Sequence, residues 1–200
     1  MNWLVALLLA ASVWGAWNWW AHERAVSVPP GIVAAAEPVQ VNLDPPLEFR
    51  AKDHQFYARA TYAITARVLR KENYHVDGGA NLAPVDLGLG WGAMSDTAIV
   101  SQLEFSQMGR FLYWRPRDWT TFPLSPRDTG LHAAQVHAVP ADDAILHRLQ
   151  KLRPGNVVTL TGYLVDIRGP NGFRWSTSLR RDDTGDGACE LMWIREVTIE

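Results

Sequence analysis

Cys189, the only thiol of this 200-residue chain, closes a run of aspartates and glycines, RRDDTGDGACE, and two imidazoles, His132 and His137, lie upstream of it. A thiol attacks only as its thiolate, so catalysis at Cys189 needs one of those histidines within hydrogen-bond reach as its base. The plainer expectation is a small side chain packed at the start of a final strand, because unpaired cysteine is among the most buried residue types.

The same stretch has the spacing of a cation loop. Asp182, Thr184 and Asp186 occupy its first, third and fifth places and Gly187 its sixth, which would converge oxygens on a hard cation such as calcium. The twelfth place holds Trp193 where a bidentate glutamate belongs. A turn with solvated aspartates is therefore expected, with no bound metal and no cofactor. His132 and His137 are an odd number of residues apart, so on one straight strand they face opposite ways and share no metal. Arg110, Arg115 and Trp114, with Arg174 beside Trp175 and Arg181 further on, are the residues that could line a groove for an anionic sugar or peptide.

Period-two patterning supplies most of the elements that must position these groups. From Phe56 to Leu69 apolar side chains alternate with polar ones, the signature of a long strand with one buried face. RFLYWR and LHAAQVHAV read as two further strands. ADDAILHRLQKL reads as a helix with its acids at the favourable amino end. VVTLTGYLVDIRG, FRWSTSL and ELMWIREVTI complete the strands, the first two joined through Pro-Asn-Gly. The glycines of DLGLGWGAMSD suggest a folded loop, followed by a short helix capped by Ser95 or Asp96. Strands without βαβ alternation predict a mainly β, antiparallel α+β domain with small helices. A partly open barrel of the oligonucleotide/oligosaccharide-binding kind is the leading architecture.

Five of the ten tryptophans fall in the first twenty residues, and Trp3 to Trp20 carries no charge. At 1.5 Å per residue such a helix spans most of a bilayer core of about 30 Å, and Trp17, Trp19 and Trp20 suit its interface. The expected organisation is a transmembrane anchor over 1–22, a proline- and alanine-rich tether over 23–46 and one globular domain over 47–200. A net charge of -2 gives no basic face, which argues against nucleic acid as a partner.

DLGLGWGAMSD, FSQMGRF, HAAQVHAVPAD, RPGNVVTLTGYLVDIRG and RWSTSLRRDDTGDGACE together resemble a group of small membrane-anchored bacterial envelope proteins. The resemblance covers about residues 55 to 200 and implies an envelope location without implying an activity. The resulting expectation is a single-pass inner-membrane protein with its domain in the periplasm. It would touch lipid through residues 3–20 and act as a non-catalytic binding module for an envelope protein or glycan. The alternative is an envelope hydrolase or transferase using Cys189 with His132 or His137.

Overall fold

The computed structural model describes residues 3–180, 182–183 and 188–200, with the side chains of 4, 16 and 18–23 left aside. Its first element is a helix, α1 (Trp3–Glu23). Trp3, Leu7, Leu8, Val13, Trp14 and Trp17 on it are exposed. Among the described residues no helix is long and apolar enough to cross a membrane, so the expected anchor over 1–22 is present as a helix but not as a demonstrable span. Its indoles and Asn18 dilute the aliphatic run, which is the physical reason.

The body is mainly β. Its seven-stranded mixed sheet comprises β1 (Val39–Ala51), β2 (His54–Asn73), β3 (Val85–Gly90), β6 (Ala133–Pro140), β7 (Val157–Arg168), β8 (Arg174–Trp175) and β9 (Glu190–Ile199). The order is β1-β2-β3-β6-β9-β7-β8, and only β6–β9 is parallel among its ladders. As a whole the sheet is not a closed barrel, since β1 and β8 remain as ends. It is nevertheless strongly curled, because β7 also ladders with β2.

The long strand β2 makes this curl possible. Its register slips between Ala58 and Ala60 against β7 and between Val68 and Arg70 against β3, and such bulges bend a strand and increase its twist. Phe56, Ala58, Ala60, Tyr62, Ile64, Ala66 and Val68 all face inward, as their period of two requires. Ala60 to Val68 meet Leu87, Leu89, Val136, Leu160 and Met192 in the main core, while Phe56 and Ala58 join Val139, Val165, Ile167 and Leu191 in a second one. Helix α4 (Asp143–Lys151) adds Ile145 and Leu149 to the main core. Asp142 caps α4 by accepting a bond from the Ile145 N–H at 2.8 Å.

Four local expectations need correction. VDLGLG is a fully buried strand, β3, and the loop begins only at Trp91. A Cβ at Gly88 would stand 2.8 Å from Leu112 Cδ2, and one at Gly90 2.5 Å from the Met94 carbonyl oxygen. The glycines are there for close approach of other chain segments, and looping is not their role. The capped helix is shorter than expected, α2 (Thr97–Val100), with Asp96 as the cap. The chain then forms a hairpin, β4 (Leu103–Met108) and β5 (Phe111–Pro116). His132 lies off the strand, at the end of a further short helix, α3 (Pro126–Leu131), so the two histidines never share a straight strand.

The tether is also shorter than 23–46. Residues 39–46 already belong to β1, and Pro45 and Pro46 fall where its register slips, which suits an outer strand because proline has no N–H to donate. Upstream, the Val26 N–H donates to the Pro154 carbonyl at 2.7 Å, Thr97 Oγ1 donates to the Val28 carbonyl at 2.8 Å and the Gly92 N–H to that of Ala34 at 2.7 Å. Residues 26–34 are thus strapped to the body.

Candidate functional site

Strand β6 alternates Ala134, Val136 and Ala138 into the core with Gln135 and His137 on its outer face. The β4–β5 hairpin and the chain between β8 and β9 cover that face. Two polar assemblies lie under this cover.

The first is a buried ionic cluster. Asp86 on β3 stands directly opposite His137 on β6 and is wholly buried. Its Oδ1 lies 3.0 Å from His137 Nδ1 and accepts from Arg110 Nη1 at 3.1 Å, while its Oδ2 accepts from Gln107 Nε2 at 3.2 Å. Arg110 also grips Asp77 through two bonds of 2.8 and 2.7 Å and donates to the Ala83 carbonyl. Its guanidinium lies over the Tyr74 ring at 4.0 Å, and Trp175 packs 5.0 Å from the His137 ring. Hydrogen bonding from Arg110 holds the Asp77 carboxyl below its ordinary value, and burial, reinforced by the Asp86 charge, raises the Tyr74 phenol. Arg110 and Gly109 are both at positive φ in the two-residue hairpin turn, where Asn-Gly is the usual pair. An arginine is tolerated there because its side chain is needed by the two aspartates.

The second is a pocket of about 190 Å³ between β5, β6 and the residues leading into β9. Phe111 and Trp114 of β5 line it together with Trp91, Gln135, Cys189 and Glu190, and with Arg180 and Asp183. The chain around it is fixed by three bonds: Ser178 N–H to the Cys189 carbonyl, Leu191 N–H to Thr177 Oγ1, and Ser178 Oγ to Asp183 at 2.6 Å. Trp91 Nε1 and both amide atoms of Gln135 are buried without a hydrogen-bond partner. Gln135 is only 8% exposed. Leaving such groups unpaired costs about 1–3 kcal/mol each, and both residues that carry them line this pocket.

The expected site residues are dispersed by this geometry. Cys189 is half-buried in the pocket, but neither His132 nor His137 lines it. His137 is held by Asp86, and His132 Nδ1 lies 2.7 Å from the Asp128 carbonyl oxygen. Among the described members of the expected arginine groove, only Trp114 lines the pocket. Arg110 is sequestered in the ionic cluster, and Arg115 pairs with Glu104 on the exposed hairpin at 2.7 Å. Arg174 lies elsewhere, in a separate pocket of about 250 Å³ with Arg59, Arg168 and Asp166. Arg181, Thr184 and Asp186 lie outside the described residues. Asp182, the remaining member of the cation loop, is engaged by Arg180 at 3.0 Å, and among the described residues no group of three metal-ligating side chains comes together.

Asp86 and Gln135 escaped the sequence reading. The available signal was a polar residue on the outer side of a strand whose other outer positions are glycine, as in Asp86-Leu87-Gly88-Leu89-Gly90, which marks a face that another layer must cover. No family model matches the chain, and neither a curated protein nor a solved structure is detectably similar to it.

Proposed function

We propose that this chain is a membrane-anchored, non-catalytic binding module of the bacterial envelope, with the Gln135 pocket as its ligand site. The observation that carries the reading is a pocket walled by Phe111 and Trp114 whose lining residues Trp91 and Gln135 hold buried side-chain polar atoms without a hydrogen-bond partner. Binding sites combine an apolar wall with a few oriented polar groups. The non-catalytic part is supported by the placement of His132 and His137, neither of which is among the described residues lining that pocket. The inner-membrane anchoring rests on the exposed apolar side chains of α1 and on the indoles near its end. The finer architecture, a partly open barrel of the oligonucleotide/oligosaccharide-binding kind, is supported by the succession of ladders β2-β3-β6-β9-β7-β2 and by α4 between β6 and β7.

The test is a photo-crosslinking residue placed at Phe111 of the full chain in living cells. An adduct with an envelope protein or glycan, reduced by Gln135→Ala, is the expected result. Absence of any adduct would overturn the binding reading.

A further inference from the structure

We propose that a second pocket, independent of the Gln135 site, binds the phosphoryl group of a phosphate monoester. It lies where β2, β7 and β8 meet, encloses about 250 Å³ and is lined by Arg59, Arg168 and Arg174 together with Tyr57, Asp166 and Ser176.

Strand register is what gathers the arginines. Tyr57 stands opposite Asp166, and Arg168 stands directly opposite Arg174, so each pair leaves the sheet on one face. Arg59, two residues beyond Tyr57, joins them. Like charges placed directly opposite on neighbouring strands are destabilising. Arg59 is bonded to Asp166 at 2.6 Å, and that carboxylate also accepts from the Thr177 N–H at 3.1 Å. Neither Arg168 nor Arg174 reaches a carboxylate among the described residues, and Arg168 only lies over the Tyr57 ring at 4.9 Å. The sheet therefore carries a repulsion that an anion seated between the two guanidiniums relieves.

Charge selects the anion. Three guanidiniums against one carboxylate leave two positive charges in the lining. Arg50 and Glu48 of β1 leave the same face outside the lining and offset one another. A phosphate monoester carries about −1.5 to −2 near neutral pH and presents three acceptor oxygens, whereas a carboxylate or a phosphodiester brings a single charge. Guanidinium forks meet phosphate oxygens two at a time, and Ser176 adds a hydroxyl donor. The volume lies below the roughly 300 Å³ at which pockets for drug-sized ligands begin. The phosphoryl group thus enters while the exposed Arg168, Arg174 and Ser176 leave the remainder of the ligand in solvent. The same group occurs on soluble phosphate esters and on lipid headgroups, and the experiment separates these sources.

The experiment is titration calorimetry on the full chain in neutral detergent micelles, with glycerol 2-phosphate, dimethyl phosphate and acetate as separate probes. Saturable binding of glycerol 2-phosphate is expected, at least about tenfold tighter than that of either singly charged probe. Arg174→Gln and Arg168→Gln should each weaken it at least about tenfold. Arg115→Gln, the same loss of charge on the hairpin, should leave it unchanged. The ligand-free melting temperature of Arg174→Gln should be no lower than the parent's, because the substitution removes a repulsion, and this separates lost binding from unfolding. Phosphatidic acid dispersed in the micelles should displace glycerol 2-phosphate if the group belongs to a lipid and leave its binding intact if it belongs to a soluble ester. No saturable binding of glycerol 2-phosphate, equal affinity for acetate, or an equal loss in Arg115→Gln would each overturn the proposal.

Discussion

The Asp86 carboxylate, wholly buried, stands 3.0 Å from the imidazole Nδ1 of His137 on the neighbouring strand. That pair is the floor on which Arg110 fastens the β4–β5 hairpin, at 3.1 Å from the same Oδ1. The hairpin carries Phe111 and Trp114, so the pocket's aromatic wall depends on an ionic contact at the far side of the turn.

Asp86→Ala should therefore be among the most damaging single changes. It leaves a mostly buried guanidinium without its inner carboxylate, and breaking a buried pair costs about 3–5 kcal/mol. For a chain of this size that corresponds to a fall of roughly 6–20 °C in melting temperature. Calorimetry would test it; a fall of only a degree or two would show that the cluster does not hold the hairpin.

Asp77, the outer carboxylate on Arg110, predicts a pH signature. Because Arg110 holds its folded value below the unfolded one, its contribution is fully present above about pH 4 and is lost as pH falls through the folded value. The pair is partly exposed, so Asp77→Asn should cost at most about 1 kcal/mol near neutrality. The gap between variant and parent should then narrow in denaturation curves taken below about pH 4. A gap that widened on acidification would reverse the assignment.

Residues 26–34 should detach selectively in Gly155→Ala. Gly155 has φ +94°, and a Cβ there would fall on the Val26 carbonyl oxygen. The left-handed backbone alone costs a substituted residue about 1–2 kcal/mol. Faster proteolysis between residues 26 and 34, out of proportion to a loss of about 1–2 kcal/mol in the stability of the body, is the expected outcome. Equal cleavage rates in variant and parent would mean that the strap is not held there.

What the sequence disclosed was the inner face of the sheet. Phe56 to Val68 alternates cleanly because one side meets a core and the other does not, and Asp142 announces α4 by a local bond. The pocket was less legible because its members come from the loop after β3, from β5, β6 and the chain leading into β9, brought together by a second layer on the outer face of the sheet. Period two reveals that Gln135 points away from Val136 but not that a hairpin covers it. The arginines were grouped by sequence proximity to aromatic residues, whereas Arg110 faces two aspartates and Arg115 faces Glu104. Glycines spaced by two in β3 suggested a loop for want of side chains, although they mark where Leu112 and Met94 press in.

Gln135→Leu should stabilise the ligand-free protein. The amide is buried with neither atom paired, and a leucine of similar size removes that desolvation penalty, about 1–3 kcal/mol, without opening a cavity. An increase in denaturation midpoint with an unchanged slope would match this expectation. Destabilisation would mean that the amide already has partners, and the case for the pocket as a ligand site would lose its basis.

Cys189 separates the binding reading from the catalytic one. It lines the pocket half-buried, while His137 is tied to Asp86 and His132 lies close to the Asp128 carbonyl. A maleimide should therefore modify the native protein at a rate that stays within about twofold in His132→Ala and His137→Ala, because neither imidazole activates the thiol. A ligand occupying the pocket should slow the same reaction, since it and the reagent compete for one space. A drop of about tenfold in labelling rate in either histidine variant, with the fold intact, would instead point to an activated thiolate and favour the hydrolase or transferase alternative.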